Sequence, residues 1–227
     1  MTDMYTSSFY SFASEEERWS YWAKHINYLY NVPATDVYKN LYELVKQKPY
    51  FVITTNVDGQ FLKAGFEEQK VFEVQGSLAK VQCSVGCHNK LYNDLEMVRK
   101  MLRVEKNCRI PTSLVPKCPR CGDKMEVNLR KDAFFVEDEH WFYLQKEYDQ
   151  FIASYQDKKI VFLELGVGFN TPGIIRFPFE EMTRRFLNAT LIRVNDRYFD
   201  LAFEIQDKAI FIQEDCGQFI TNLKDNL

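Results

Sequence analysis

The chain has 227 residues, with 29 Lys and Arg against 32 Asp and Glu for a formal charge of −3, and 46% apolar and 15% aromatic residues. That balance supports a substantial core and excludes intrinsic disorder, collagen-like repeats and a small disulfide scaffold. No window approaches the roughly 18 apolar residues of a membrane span. Asp3, Glu15, Glu16, Glu17 and Arg18 fall where a signal peptide would carry its apolar stretch, so a soluble, cytoplasmic protein with no membrane partner is expected.

Residues 15–30 place Trp19, Trp22, Ala23, Ile26, Leu29 and Tyr30 on one helical face behind an acidic first turn. After Pro33, Val37, Leu41, Leu44 and Val45 repeat the pattern over 35–48. From Tyr50 the rhythm changes to short apolar runs between helical patterns. Strands are expected at 50–54, 71–74, 160–165, 190–194 and 209–212, and helices at 58–65, 139–155, 178–187 and 214–223. Such alternation implies βαβ units and a mostly parallel sheet with helices on both faces, an α/β, Rossmann-like architecture.

Residues 78–131 stand apart. They hold five of the six cysteines and 12 Lys and Arg against 5 Asp and Glu, while the remainder of the chain is acidic. The expected division is therefore a main domain from 1–77 and 132–227, with 78–131 as a small inserted zinc-ribbon module. Within it, Cys83-x3-Cys87 and Cys118-x2-Cys121 make two thiolate pairs, each suited to half of a tetrahedral zinc, with Gly122 permitting the turn that points amides at sulfur. Four reduced cysteines without metal, and His88 in place of Cys87, are the alternatives. Cys108 fits neither pair and reads as a buried small apolar residue. The basic balance also suits a nucleic-acid-binding ribbon. However, Arg99, Lys100, Arg103 and Lys106 share the helical stretch 93–106 with Asp94, Glu96 and Glu105, so a solvated helix face is favoured and nucleic acid is not expected as a partner.

Ligands of parallel sheets sit beyond the carboxyl ends of the strands. There the sequence places Thr54-Thr55-Asn56-Val57-Asp58-Gly59, then Gln75-Gly76, then Gly166-Val167-Gly168-Phe169-Asn170, then Asn195-Asp196, then Glu214-Asp215-Cys216. Asp58 also suits the N-cap of the following helix. A single Gly-x-Gly turn or a single Gln says little, but five polar strand ends in sequence point to a nucleotide site.

In this order the segments resemble the sirtuin family. Thr54 to Gly59 with Ala64-Gly65 is similar to its Thr-Gln-Asn-Ile-Asp-x-Leu…Ala-Gly stretch, and Gln75-Gly76 lies at its catalytic His-Gly. Phe135-Val136-Glu137-Asp138-Glu139 resembles the strand before the substrate loop, Gly166 to Pro172 the Gly-Thr-Ser segment, and Asp215-Cys216 the adenine-contacting end. The Gln, the long spacer between the cysteine pairs, Asn128-Leu129-Arg130 and Gly168 to Ile175 look most like the macrodomain-linked (class M) sirtuins.

The resemblance covers roughly 50–223 and implies an NAD-dependent protein mono-ADP-ribosyltransferase, with NAD and zinc as cofactors. It also implies a lipoylated carrier protein as substrate and a macrodomain hydrolase as functional partner. It makes Asn56, Gln75 and Asp58 the catalytic set, and Thr55, Asn56, Asp58, Gly166, Gly168, Asn170, Asn195, Asp215 and Cys216 the cofactor contacts. Sirtuins open with a strand and a Gly-Ala-Gly-x-Ser loop. Residues 1–49 contain no glycine, so an N-terminally shortened member is expected, with a weakened phosphate grip. A zinc-bearing, inactive scaffold and an NAD-dependent deacylase are the alternatives.

Overall fold

The computed structural model describes residues 9–198 and 202–226, so Asp3 lies outside the described residues. They divide into two compact units. One takes the residues up to Pro33 together with Asn56–Gly59 and Glu73–Phe142, the other Ala34–Thr55, Gln60–Phe72 and the residues from Tyr143 onward.

In the first unit, helix α1 (Glu15–Asn31) starts at Ser14, whose side chain accepts from the Glu17 amide, and its three glutamates sit at the positive end of the helix dipole. Its apolar face enters a core with strand β3 (Gly76–Cys83), strand β5 (Met125–Leu129) and helix α4 (Leu95–Val104). Trp19, Trp22, Ala23 and Ile26 meet Leu78, Val81, Val98, Met101 and Val127 there. Each fully buried large apolar side chain contributes about 1.5–3 kcal/mol. Strand β3 lies between β4 (Tyr92–Asn93) and β5, antiparallel to both, and its register against β5 shifts between Ser77 and Val81. Gly76 opens β3 at φ +95°, and a Cβ there would lie 2.1 Å from the Asn128 carbonyl oxygen. No residue but glycine fits that approach.

In the second unit, β6 (Ile160–Leu165), β7 (Ala189–Val194) and β8 (Ala209–Ile212) form a parallel sheet in the order β6-β7-β8. One face packs Phe162 and Leu191 against Phe179 of helix α6 (Arg176–Arg185), with Phe151 and Ile152 of helix α5 (Glu139–Tyr155). Leu163 and Leu165 on the other face join Leu41 of helix α2 (Asp36–Val45) and Ile220 of helix α7 (Cys216–Asp225). Helices thus cover both faces, as expected of a Rossmann-like α/β fold. Strands β1 (Val52–Thr54) and β2 (Val71–Glu73) pair as a separate ribbon.

Three expectations are corrected. The short helix α3 spans only Gln60–Lys63, leaving Asp58 outside it. Residues 135–138 form no strand; the Val136 amide instead donates to Gln82 Oε1 at 3.0 Å. Cys108 is exposed, on a left-handed turn at φ +60° closed by the Lys106–Arg109 bridge, because the chain must reverse there directly after α4. Among the described residues no helix is long and apolar enough to cross a membrane.

Candidate functional site

The four predicted thiols come together. Cys83 ends β3, Cys87 follows one tight turn later, and Cys118 and Cys121 flank the turn closed by the Gly122 amide on the Cys118 carbonyl at 2.9 Å. All four Sγ atoms lie within 4.8 Å of one another, with Cys83–Cys121 and Cys87–Cys118 both at 3.6 Å. A tetrahedron with Zn–S bonds of about 2.3 Å has edges of about 3.8 Å, so the donor set fits zinc in type, number and spacing.

The electrostatics agree. Burial opposes ionisation of Cys118, but the amides of Cys121 and Arg120 and the thiols of Cys121 and Cys87 outweigh it and lower its pKa to about 6. Burial and the three surrounding sulfurs push the Cys87 thiol up. One thiolate therefore suppresses the next, and a dication is what allows all four to ionise together. His88 does not replace Cys87: its Nδ1 sits 3.0 Å from Cys87 Sγ, and its Nε2 2.9 Å from the Tyr92 hydroxyl, beside the cluster.

Asn56, Asp58 and Gln75 belong to the same unit as the cysteines, whereas Thr55 closes the preceding segment of the other. Asn56 is exposed; Thr55 and Asp58 are half-buried. Gln75 sits on the two-residue turn between β2 and β3, two residues past Glu73, where β2 ends one residue short of the expected 71–74. Its backbone carbonyl accepts from the Arg130 amide at 3.0 Å, and its side-chain Oε1 is buried with no hydrogen-bond partner among the described residues. A buried amide oxygen left unpaired costs about 1–3 kcal/mol, and a ribose hydroxyl is a donor of the kind it lacks.

The second unit gathers the other predicted contacts at the carboxyl ends of β6, β7 and β8. Gly166 adopts φ +66°, its amide donates to the Val194 carbonyl, and a Cβ there would sit 3.5 Å from Cys216 Sγ. The Cys216 thiol donates to the same carbonyl at 3.5 Å; burial, with the charges of Asp215 and Asp196, keeps it protonated. Asn195 is 3% exposed: its Nδ2 donates to the Val167 carbonyl at 3.0 Å, and its Oδ1 accepts from the Arg197 and Tyr198 amides. It clamps the loop after β7 to the loop after β6. Asp215 caps α7 by accepting from the Gln218 amide at 3.0 Å. Asn170 is exposed on the bend of the loop after β6.

Sequence reading missed a buried charge network beneath this loop. Glu164 on β6 takes both Nε and Nη2 of Arg193 on β7, at 2.7 and 2.9 Å, and Arg193 also meets Glu180 of α6 at 2.8 Å. Arg176 lies 3.7 Å from Glu164 and donates to the Val167 carbonyl at 3.4 Å. Glu164, Arg176 and Arg193 are all within 1% of full burial. The signal available was the interruption of two apolar strand runs by opposite charges at register-matched positions.

Together, a parallel sheet with polar, glycine-bearing strand ends and a tetrathiolate cluster suited to zinc mark an α/β protein of the sirtuin kind. The Sir2 family model matches residues 2–163, and the chain belongs to that family. The match begins ahead of residue 50, so the first two helices fall within the family's own stretch. A Staphylococcus aureus protein named "Protein ADP-ribosyltransferase" is 35% identical over 227 residues, 99% of this chain and 72% of the relative. A Fusarium oxysporum protein, "Probable bifunctional ADP-ribose hydrolase/ADP-ribosyltransferase", is 30% identical over 82% of this chain, which spans 32% of it. Among solved structures, "Sir2-p53 peptide-NAD+" superposes with TM-score 0.62 at 18% identity, covering 98% of this chain and 88% of that one. "The Structural basis for Sirtuin Substrate affinity" gives 0.58 at 21%, covering 87% and 74%. These likenesses establish the Rossmann-like sirtuin fold.

Proposed function

We propose that this chain is an NAD-dependent protein mono-ADP-ribosyltransferase of the sirtuin type. The 35% identity along nearly its whole length to a relative bearing that activity's name carries the reading. Bound NAD supplies a ribosyl–nicotinamide bond that yields an ADP-ribosyl group on cleavage. Asn56 and Asp58, with Thr55, hold the nicotinamide carboxamide and its ribose, while Gly166, Gly168, Asn170, Asn195, Asp215 and Cys216 form the adenosine half.

Gln75 supports transfer over deacylation. A general base must exchange a proton near neutral pH, as an imidazole with pKa about 6.5 does, whereas a carboxamide has no such equilibrium. Its unpaired Oε1 is suited instead to orienting a ribose hydroxyl or an incoming nucleophile. The acceptor is a protein, and a lipoylated carrier is the substrate proposed. The Fusarium relative, whose name joins ADP-ribose hydrolase to ADP-ribosyltransferase, supports an ADP-ribose hydrolase as functional partner; a macrodomain as that hydrolase and the cytoplasm as the place of action belong to the same proposal. The zinc of the 78–131 module holds structure only, since four thiolates leave no coordination position open.

Incubation with labelled NAD and a lipoylated carrier protein tests this. Label on the carrier is expected, and Asn56→Ala should cut it at least 100-fold. No binding heat at millimolar NAD, or undiminished labelling by the variant, overturns the assignment.

A further inference from the structure

Beside the four thiols stands a fifth donor that the tetrathiolate set does not use. His88 follows Cys87 directly, and its Nδ1 lies 3.0 Å from Cys87 Sγ and 4.0 Å from Cys118 Sγ. The four sulfurs alone share the mutual 4.8 Å spacing, so the imidazole flanks the tetrahedron and is no corner of it. Its ring is held on the far side as well. Nε2 meets the Tyr92 hydroxyl at 2.9 Å, and the two rings lie edge-on, 5.9 Å apart at 68°. Tyr92 is fixed in turn: it pairs with Val81 of β3, packs against the core of this unit and carries the Lys90 ammonium 5.4 Å from its ring centroid. The Cys87 carbonyl accepts from Arg120 Nη1 at 3.2 Å, which steadies the backbone that bears both Cys87 and His88.

An imidazole with one ring proton has a donor on one nitrogen and a lone pair on the other. While the Cys87 thiolate is a ligand it can only accept, so Nδ1 carries the proton and Nε2 accepts from the Tyr92 hydroxyl. Without that sulfur the arrangement reverses. Nδ1 then offers its lone pair to the vacated corner, and Nε2 donates to the Tyr92 oxygen. A hydroxyl both donates and accepts, so Tyr92 satisfies the ring in either tautomer and no polar atom is left unpaired. A carboxylate or a backbone carbonyl in its place would permit only one of the two. Three thiolates with one imidazole is also an ordinary structural donor set for zinc.

We propose that His88 is a reserve ligand of the metal centre: a hydrogen-bond donor to Cys87 while that thiolate binds, and the fourth ligand once the Cys87 sulfur is lost. The centre then keeps its metal when its half-buried thiol is removed or blocked.

The test titrates cobalt(II), a coloured substitute for zinc, into the full chain and three variants. Cys87→Ala should still bind one cobalt per chain, about tenfold more weakly, with its visible bands moved to shorter wavelength as nitrogen replaces sulfur. His88→Ala should keep the four-sulfur spectrum and lose about tenfold in affinity with the N–H donor. Cys87→Ala/His88→Ala, one ligand short, should bind about 100-fold more weakly than Cys87→Ala. Nitrogen-15 shifts of the zinc-loaded proteins give a second readout: the His88 proton is expected on Nδ1 in wild type and on Nε2 in Cys87→Ala. The inference is overturned if His88→Ala costs no more in the Cys87→Ala background than in wild type, or if the His88 proton stays on Nδ1. It is equally overturned if Cys87→Ala shows no folded far-UV spectrum with zinc in excess, since a reserve ligand would have kept that unit folded.

Discussion

Asp94 shows what one buried acid does to the zinc-bearing unit. Its side chain is fully buried; Oδ1 accepts from the Tyr30 hydroxyl at 2.9 Å, and Oδ2 has no partner among the described residues. Burial raises its pKa to about 6, against the opposing pull of the Tyr30 bond, its own backbone and the Lys80 charge. In the unfolded chain the same group titrates near 3.9. Between those values the folded protein keeps a proton the unfolded chain has lost, so this residue's stabilisation is complete at low pH and is lost as pH rises through about 6. Asp94→Asn removes the titration. Its stability relative to wild type should improve by about 2 kcal/mol between pH 4.5 and pH 7.5, read from urea midpoints, and a flat difference refutes the mechanism. Nothing in the sequence marks Asp94, which sits in a run of charges that reads as solvated. The same blindness applies to Arg176, because a letter gives charge but not burial.

At the scale of elements, the Glu164–Arg193 pair ties β6 to β7, and Glu180 extends the tie to α6. Arg193→Met takes the shared cation from the Glu164 and Glu180 carboxylates, leaving Arg176 at 3.7 Å from Glu164. It should cost about 3–5 kcal/mol, measurable as a lowered urea midpoint. The two charges are 29 positions apart and meet only because β6 and β7 pair in parallel register at Glu164 and Arg193. The strands themselves were legible: 160–165 and 209–212 have the bounds read from their apolar runs. Strand β3 was not. Its register shift between Ser77 and Val81 puts Leu78 and Val81, three apart, both inside, which breaks the alternation that identifies a strand. Strand β5 hides differently, with Asn128 buried next to Val127, its amide donating to Gln82 Oε1 and the Val136 carbonyl.

For the molecule as a whole, the separation of cores decides how it comes apart. The core around Trp19 and Val98 lies in the zinc-bearing unit, and the clusters around Leu191 and Ile220 lie in the parallel-sheet unit. Only the first contains the four clustered thiols, and metal bound to a folded site adds its binding energy to that fold. Chelation should therefore release one zinc per chain and lower the temperature of one calorimetric transition while leaving the other in place; a single transition that moves as a whole contradicts this. The metal site was readable because its chemistry demands fixed spacing. The nucleotide loops were readable only in combination, since each alone also serves as an ordinary turn, as Asp215 does in capping α7.

The glycine that opens β3 has a consequence for tracing descent. Any chain that keeps this pairing of β3 with β5 must keep glycine at position 76, whatever reaction it performs, because every other amino acid would collide with the Asn128 backbone. Position 75 carries no such obligation. Chemistry and architecture are thus written in adjacent letters, the first open to revision and the second permanent.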